Sequence, residues 1–426
     1  MQYWINITKK IIAVSAILFS TTYVQAQENS PYSRYGLGNL KQIENVSNRG
    51  MGGISIADDN SLIANPTNPA TYTGLKMTSY QFSVEGSSVN IKNTNGTNRT
   101  GAATINYVNI GFALSKKIGM SFGLLPQTRS KYQMQDVISL SNVSQITRTY
   151  YGGGGLQKIY IGAAYKIKDI SLGFNTGYNF GNITNTTESE FTDTLKILSS
   201  FNSARYTMGG VFWQVGALMN KAINEDYSVK IGFSYTGKQS IRANRDQEWG
   251  SYFGILTSPD YTYNLDSIRD QRSKIILPSN LGVGVMLKNG DYWQVGADFT
   301  TSNWSNYSYD AKTDSTNRTW YLKIGGAITP DVNSINNTLK RMTYRIGAYH
   351  GQDIFRFKNE SMKRSAITAG FGYPIRRTNL SIGQINFALE VGSRGTTNNG
   401  LIKETYNRFC VGLTLNDKWF VKRKYD

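Results

Sequence analysis

The stretch Ile170-Ser-Leu-Gly-Phe-Asn-Thr-Gly-Tyr-Asn-Phe-Gly181 decides the fold. Ile170, Leu172, Phe174, Tyr178 and Phe180 share one parity, interrupted only by Thr176. Ser171, Gly173, Asn175, Gly177, Asn179 and Gly181 share the other. Successive side chains of a strand point to opposite faces, so this segment has one apolar face and one small, uncharged polar face. The same alternation recurs at Val108, Ile110, Phe112 and Leu114, and at Tyr227, Val229, Ile231, Phe233 and Tyr235. It recurs again at Trp293, Val295, Ala297 and Phe299, and at Phe409, Val411, Leu413 and Leu415.

Working outward, about fourteen such segments are expected, at 77–92, 103–115, 119–127, 155–165, 170–183, 206–220, 226–243, 280–287, 292–303, 318–326, 342–350, 364–374, 384–393 and 404–416. Tight links at 116–118, 166–169, 221–225 and 288–291 alternate with long polar links at 128–154, 184–205, 244–279 and 304–317. Outer-membrane barrels have this rhythm of short periplasmic turns and long external loops. A soluble β-sandwich competes, but its strands are usually shorter and its links do not alternate in length so regularly. In a soluble barrel the exterior would carry Lys and Glu, whereas the second face here is mostly Gly, Asn, Ser, Gln and Thr. The expected fold is all-β: a transmembrane antiparallel β-barrel of about 14 strands with an N-terminal plug, or hatch.

Composition agrees. Only 17% of the 426 residues are charged, against about 25% in ordinary soluble domains. One His and one Cys supply neither a zinc or iron–sulfur ligand set nor an intramolecular disulfide. No metal, cofactor or catalytic residue is therefore expected. His350 has no adjacent nucleophile or acid partner, so no enzyme is expected, and Cys410 falls on the inward face as a small packing residue.

Residues 1–26 read as a signal peptide: Lys9 and Lys10, an apolar core from Ile11 to Phe19, and the site Val24-Gln25-Ala26. A membrane anchor is the alternative, but the core is well short of the ~20 residues a span needs. The net charge of +18 becomes +16 without Lys9 and Lys10. For an exported chain its counter-charge is expected to be lipid or lipopolysaccharide rather than nucleic acid. Residues 27–76 do not alternate, and their Gly and Asn-Pro signals suggest a folded plug in the periplasmic mouth, with a disordered tail as the alternative. The barrel is expected over 77–416, with a helical turn within 327–341. A basic periplasmic tail is expected over 417–426, carrying Lys422, Arg423 and Lys424. Both termini would face the periplasm.

Three stretches go further. The first is Arg49-Gly-Met-Gly-Gly-Ile-Ser-Ile-Ala-Asp-Asp59 with Asn65-Pro-Thr-Asn-Pro-Ala70. The second runs from Leu277-Pro278 through Ala297-Asp298 to Asn303-Trp304-Ser305. The third comprises Leu339 to Gly347, Glu390 to Gly395 and Gly412 to Phe420. Together these resemble the FadL-like (FadL/TodX type) outer-membrane proteins, in their Bacteroidota version. The resemblance implies a fourteen-stranded barrel. Its plug motif would comprise Gly50, Gly52, Gly53, Asp58, Asp59, Asn65, Pro66, Asn68, Pro69 and Ala70, and its strand motif Pro278 and Trp304.

The resemblance implies either of two jobs. Some family members carry long-chain fatty acids or other hydrophobic compounds across the outer membrane. Others are shuttles or accessory subunits of secretion (type IX) or BAM-like assembly complexes, whose partners are other outer-membrane proteins. For transport, Gly123 and Pro126 on the third strand are the candidate lateral-gate kink, because Pro donates no ladder hydrogen bond; the alternative is that Pro126 simply ends the strand. Tyr107, Phe212, Leu218 and Tyr292 are the candidate ligand-lining residues. For scaffolding, the polar inner face and the long external loops are the motivation. Asp193-Thr-Leu, Asp266-Ser-Ile and Asp314-Ser-Thr match a short O-glycosylation pattern.

Overall fold

The computed structural model describes residues 29–419, except 95, 141–142, 192–197, 256–257, 310–311, 314–315, 335 and 378–380. The signal segment, the tail Lys422-Arg423-Lys424 and the glycosylation candidates Asp193 and Asp314 lie outside the described residues. Asp266 lies within them and is exposed.

Fourteen strands follow the plug. β1 is Thr78–Asn93, β2 Gly96–Ala113, and β3 Ile118–Pro126 resumed as Thr128–Leu140. β4 is Val143–Ile167, β5 Ile170–Phe191 and β6 Ser199–Ala222. β7 is Tyr227–Thr236 resumed as Gln239–Ile255, and β8 is Ser258–Leu277 resumed as Asn280–Asn289. β9 is Trp293–Asn303, β10 Arg318–Ile328, β11 Thr343–Phe357, β12 Glu360–Arg377, β13 Ser381–Gly395 and β14 Lys403–Asp417. Each strand pairs antiparallel with the next, and β1 closes on β14 from Thr78↔Asp417 to Lys92↔Lys403. The sheet is thus a closed barrel.

The alternation predicts which face meets what. In β5, Leu172 and Phe174 are about half exposed, while Ser171, Asn175 and Asn179 are buried in the lumen. Outward-facing Ile, Leu, Val and Phe recur on every strand from β1 to β14. A continuous apolar belt of that size is untenable in water and suits lipid. Aromatic contacts mark the short-turn end: Trp419 lies 5.9 Å from Tyr80 and 6.1 Å from Phe112, and Tyr227 lies 6.0 Å from Trp293. Among the described residues, no helix is long and apolar enough to cross a membrane.

The long polar links need correction. Segments 128–154, 184–205 and 244–279 are mostly strand, and β4 alone runs 25 residues. At ~3.3 Å per residue such a strand spans about 80 Å, far beyond the ~25 Å apolar band of an outer-membrane barrel. The excess projects beyond the membrane as hairpin arms. Both faces of an arm meet water or a polar lumen, so nothing there demands apolar alternation. A helical turn, Thr338–Arg341, does sit in the link between β10 and β11.

Residues 29–76 lie inside the barrel, and they do not stop at the short-turn mouth. Asn29 reaches the long-hairpin half, where its Nδ2 donates to Gln133 O at 2.8 Å and its backbone N–H donates to Thr100 Oγ1 at 3.1 Å. The chain then descends through helix α1 (Val46–Gly50) to the 3-10 turn Pro69–Gly74 and enters β1. The plug therefore runs along the lumen from the short-turn end to the long-hairpin half and is not confined to one mouth.

Candidate functional site: the plug, its wall and the lumen

The plug is framed by asparagines. Asn45 caps α1, its Oδ1 accepting from Asn48 N at 2.9 Å. Asn48 Nδ2 donates to Ile54 O at 2.7 Å and to Asp58 Oδ2 at 2.6 Å. Asn65 Nδ2 donates to Ser55 O at 2.5 Å and to Asp58 O at 3.1 Å. Asn68 Oδ1 accepts from Ala70 N at 3.1 Å, and its Nδ2 reaches Ile56 O at 2.7 Å and Ala217 O of β6 at 3.2 Å. Pro66 offers its carbonyl to Asn175 Nδ2 at 3.5 Å, and Pro69 opens the 3-10 turn. All of these side chains are buried, so each Asn satisfies backbone groups that water cannot reach.

The wall is cut to fit. Gly52 has φ +72°, and a Cβ there would lie 2.5 Å from Ile324 O of β10. Across the interface, a Cβ on Gly325 or Gly347 would run into the backbone at Met51, one on Gly232 into Ile56, and one on Gly173 into Pro69 and Ala70. Gly50 and Gly370 approach so closely that a Cβ on Gly50 would meet the other's Cα at 3.3 Å. Gly53, with φ +82°, faces Lys323. The glycines of the inward parity are thus the seats of the plug motif.

Buried charge then locks plug to wall. Arg49 donates from Nη1 to Glu85 of β1 at 2.5 Å and from Nη2 to Glu390 of β13 at 3.1 Å. Lys41 joins Glu85 at 3.0 Å, and Arg408 joins Glu390 at 2.9 Å. Glu44 pairs with Lys323 of β10, and Asp59 with Lys230 of β7. Asp298 of β9 accepts from Ser55 N at 2.6 Å and Ile56 N at 2.9 Å. Burial alone would raise the Glu44 carboxyl, but Lys323 overcomes it and holds that acid below its ordinary range. Asp58 has no ion pair among the described residues, and burial pushes its carboxyl up. The inward charges Glu85, Lys230 and Lys323 were missed in the sequence, and Asp298 and Glu390 stood there only as motif positions without a role. Their signal was a charge on the inward parity of a lipid-flanked strand, which is expensive unless partnered.

The lumen retains two cavities between the plug and the wall. One, of about 240 Å³, is lined by polar groups including Gln127, Lys158, Gln214 and Gln239. Pro278 and Trp304 sit together on its wall. Lys158 makes no ion pair among the described residues and lies 4.4 Å from the centre of the Phe212 ring. The other, of about 220 Å³, has Leu37, Ile183, Met208 and Ile275 on its wall beside the polar Arg34 and Asn185.

The expected ligand-lining set is not brought together. Tyr107 is buried against the plug, its hydroxyl accepting from Val46 N at 3.1 Å. Leu218 packs with Met51, Ile54 and Ala70, and Phe212 with Tyr72 and Leu125. Tyr292 is exposed in a short turn, because the tight link continues one residue beyond its expected end.

The third strand does break. β3 leaves β2 after Val108↔Leu124, and its first leg ends at Pro126. Gly123 faces Tyr160 and Asn109. After Gln127 the second leg pairs with β4 on one edge and with the plug residues Asn39 and Leu40 on the other. The outer halves of β2 and β3 are therefore unpaired with each other, and plug residues 29–41 line the breach. His350 is exposed on the outer face, with Nδ1 2.6 Å from Ser365 Oγ and its ring 5.7 Å from that of Trp320. Cys410 is buried 3.8 Å from Glu85 Oε2.

A closed fourteen-stranded antiparallel barrel with an N-terminal plug is the FadL-like outer-membrane fold. Solved structures agree at the level of fold. The CymD monoaromatic hydrocarbon channel aligns at TM-score 0.57 and 13% identity, over 90% of this chain and 99% of that one. A Pseudomonas aeruginosa FadL homologue aligns at 0.58 and 13%, over 90% and 100%. The Ralstonia pickettii toluene transporter TbuX aligns at 0.57 and 15%, over 87% and 97%. No curated protein matches the sequence. The chain belongs to the BamG family, whose model matches residues 7–426.

Proposed function

We propose that this outer-membrane barrel works as a non-transporting accessory subunit of an outer-membrane protein assembly complex. The observation that carries the reading is the lock on the plug: Arg49, Glu44 and Asp59 each pair with a different wall strand, over glycines that admit no other side chain. A plug held at so many points favours a closed lumen, and leaves the long hairpin arms and the short-turn face as working surfaces. Membership of the BamG family supports the same reading.

A second reading, carriage of a hydrophobic compound, is favoured by the breach between β2 and β3, with a cavity of about 220 Å³ near Leu37 as the candidate compartment. That volume is below the ~300–1,000 Å³ usual for ligand pockets. The monoaromatic hydrocarbon channel CymD and the toluene transporter TbuX support it at the level of fold. Purification from native outer membrane, with mass spectrometry of proteins and lipids, separates the two. A stoichiometric set of outer-membrane proteins, with uptake intact after deletion, is expected. A monomer carrying a tightly bound apolar compound, together with lost uptake after deletion, would refute the accessory role.

A further inference from the structure

A cavity of about 310 Å³ opens beneath the plug, at the short-turn end of the lumen. Its charged lining is lopsided: Lys76, Lys288, Arg341 and Arg345 face one carboxylate, Asp291. Asp291 is mostly in solvent and reaches only Lys288, at 3.5 Å. Arg345 is the unusual member. It is 8% exposed, it makes no ion pair among the described residues, and its Nη1 has no hydrogen-bond partner there. The plug carboxylate Asp58 is engaged by Asn48 at 2.6 Å. Arg341 Nε is likewise buried without a partner. Met77, Trp293 and Val332 supply an apolar border.

Asp58 is close enough to act on Arg345 electrostatically but forms no ion pair with it; a guanidinium held from water without a contacting carboxylate is costly, and its planar fork fits a carboxylate in bidentate fashion. We propose that this vestibule receives an acidic segment of a periplasmic partner protein, whose carboxylate pairs with Arg345 while neighbouring residues lie over Met77 and Trp293. The proposal rests on the accessory-subunit reading and names the chemistry of its partner. A peptide is favoured over an anionic lipid by position. The cavity lies inside the ring of strands, so a head group would have to leave its leaflet to enter.

The test uses the full chain in neutral detergent and a fluorescein-labelled octapeptide of alternating Asp and Gly with a free C-terminus, read by anisotropy. The control peptide has Asn for Asp and an amidated end. The acidic peptide should bind at least tenfold tighter than the control and weaken as salt rises. Arg345→Met should lose that preference, and Arg345→Lys should restore part of it. Lys76→Gln, on the exposed rim, should weaken binding several-fold without touching the core. Heat-modifiable gel mobility verifies that each barrel is folded. Equal binding of both peptides, or of wild type and both Arg345→Met and Lys76→Gln, overturns the proposal. So does complete displacement of the peptide by phosphatidylglycerol micelles with no displacement by phosphatidylcholine, which would make the site a lipid site. If native partners still copurify when the peptide test fails, the accessory reading stands and only the vestibule assignment falls. If no partner copurifies with wild type, the accessory reading itself falls, whatever the peptide does.

Discussion

Replacing Arg49 with Met should release the plug, and the chain carries its own reporter. Cys410 is the only cysteine and is 1% exposed, packed beside Val46 of α1. Arg49 spans β1 and β13 through Glu85 and Glu390, so its loss removes two buried charge pairs. Breaking a buried pair costs about 3–5 kcal/mol when the survivor is orphaned. Neither survivor is orphaned here. Glu85 keeps Lys41 at 3.0 Å, and Glu390 keeps Arg408 at 2.9 Å and the Tyr349 hydroxyl at 2.6 Å. Each loss therefore falls below that range, and the two together are taken at its low end, about 3 kcal/mol. At ~1.4 kcal/mol per factor of ten, local opening of the plug becomes roughly a hundredfold more populated. Maleimide labelling of Cys410 in the folded barrel, referenced to the rate in denaturant, should accelerate by about that factor. Arg49→Lys should fall between, since one ammonium cannot serve both carboxylates as a fork does. Labelling within threefold of wild type, or fast labelling in wild type, would refute the idea that these pairs hold the plug.

Gly347→Val should leave the barrel heat-modifiable but expose the plug to trypsin, because the new side chain overlaps the backbone at Met51 and Gly52; overpacking of this kind costs about 1–3 kcal/mol or more. A carboxyl held below its unfolded value contributes stability that is full above that value and lost as pH falls through the folded one. With Glu44 lowered from 4.5, plug protection should be full at neutral pH and fade as pH falls below 4.5, and Glu44→Gln should remove that part of the acid limb. Asp58 has the opposite sign. Its carboxyl is raised from 3.8, so its contribution is full below that value and declines as pH rises through the folded one; Asp58→Asn should leave the neutral-pH unfolding midpoint unchanged or raise it, as read by denaturant titration. If Asp58→Asn lowers that midpoint by more than an ordinary surface substitution does, the buried-acid argument is wrong.

What could be read in advance follows from where water is. Ile170 to Gly181 crosses the bilayer, so lipid on one side and lumen on the other impose alternation at every residue. The arms at 128–154 and 244–279 leave the bilayer, and polar residues pair there as strands without that signature. Glycines at 173, 232, 325 and 347 stood out only as small inward residues. Their meaning is a distance to plug backbone hundreds of positions away, and a single sequence does not record it. Tyr292 shares the parity of an inward residue, yet a short turn carries it outside. Arg49 was legible as part of a Gly-rich motif, but its carboxylates at 85 and 390 are joined only once the ring is closed.

That closure has a consequence for how the molecule is made. The plug lies before β1 in the chain, yet touches strands on every side of the ring, and β1 meets β14 only after the last strand exists. An empty ring that filled afterwards would have to thread some fifty residues through a mouth already narrowed by side chains. The more economical order has the seam zip shut around a plug already in place. Glu85 and Glu390 approach Arg49 from opposite sides of that seam. The plug motif then serves as the form on which the cylinder is wound, and its charge pairs report, strand by strand, that the winding is complete.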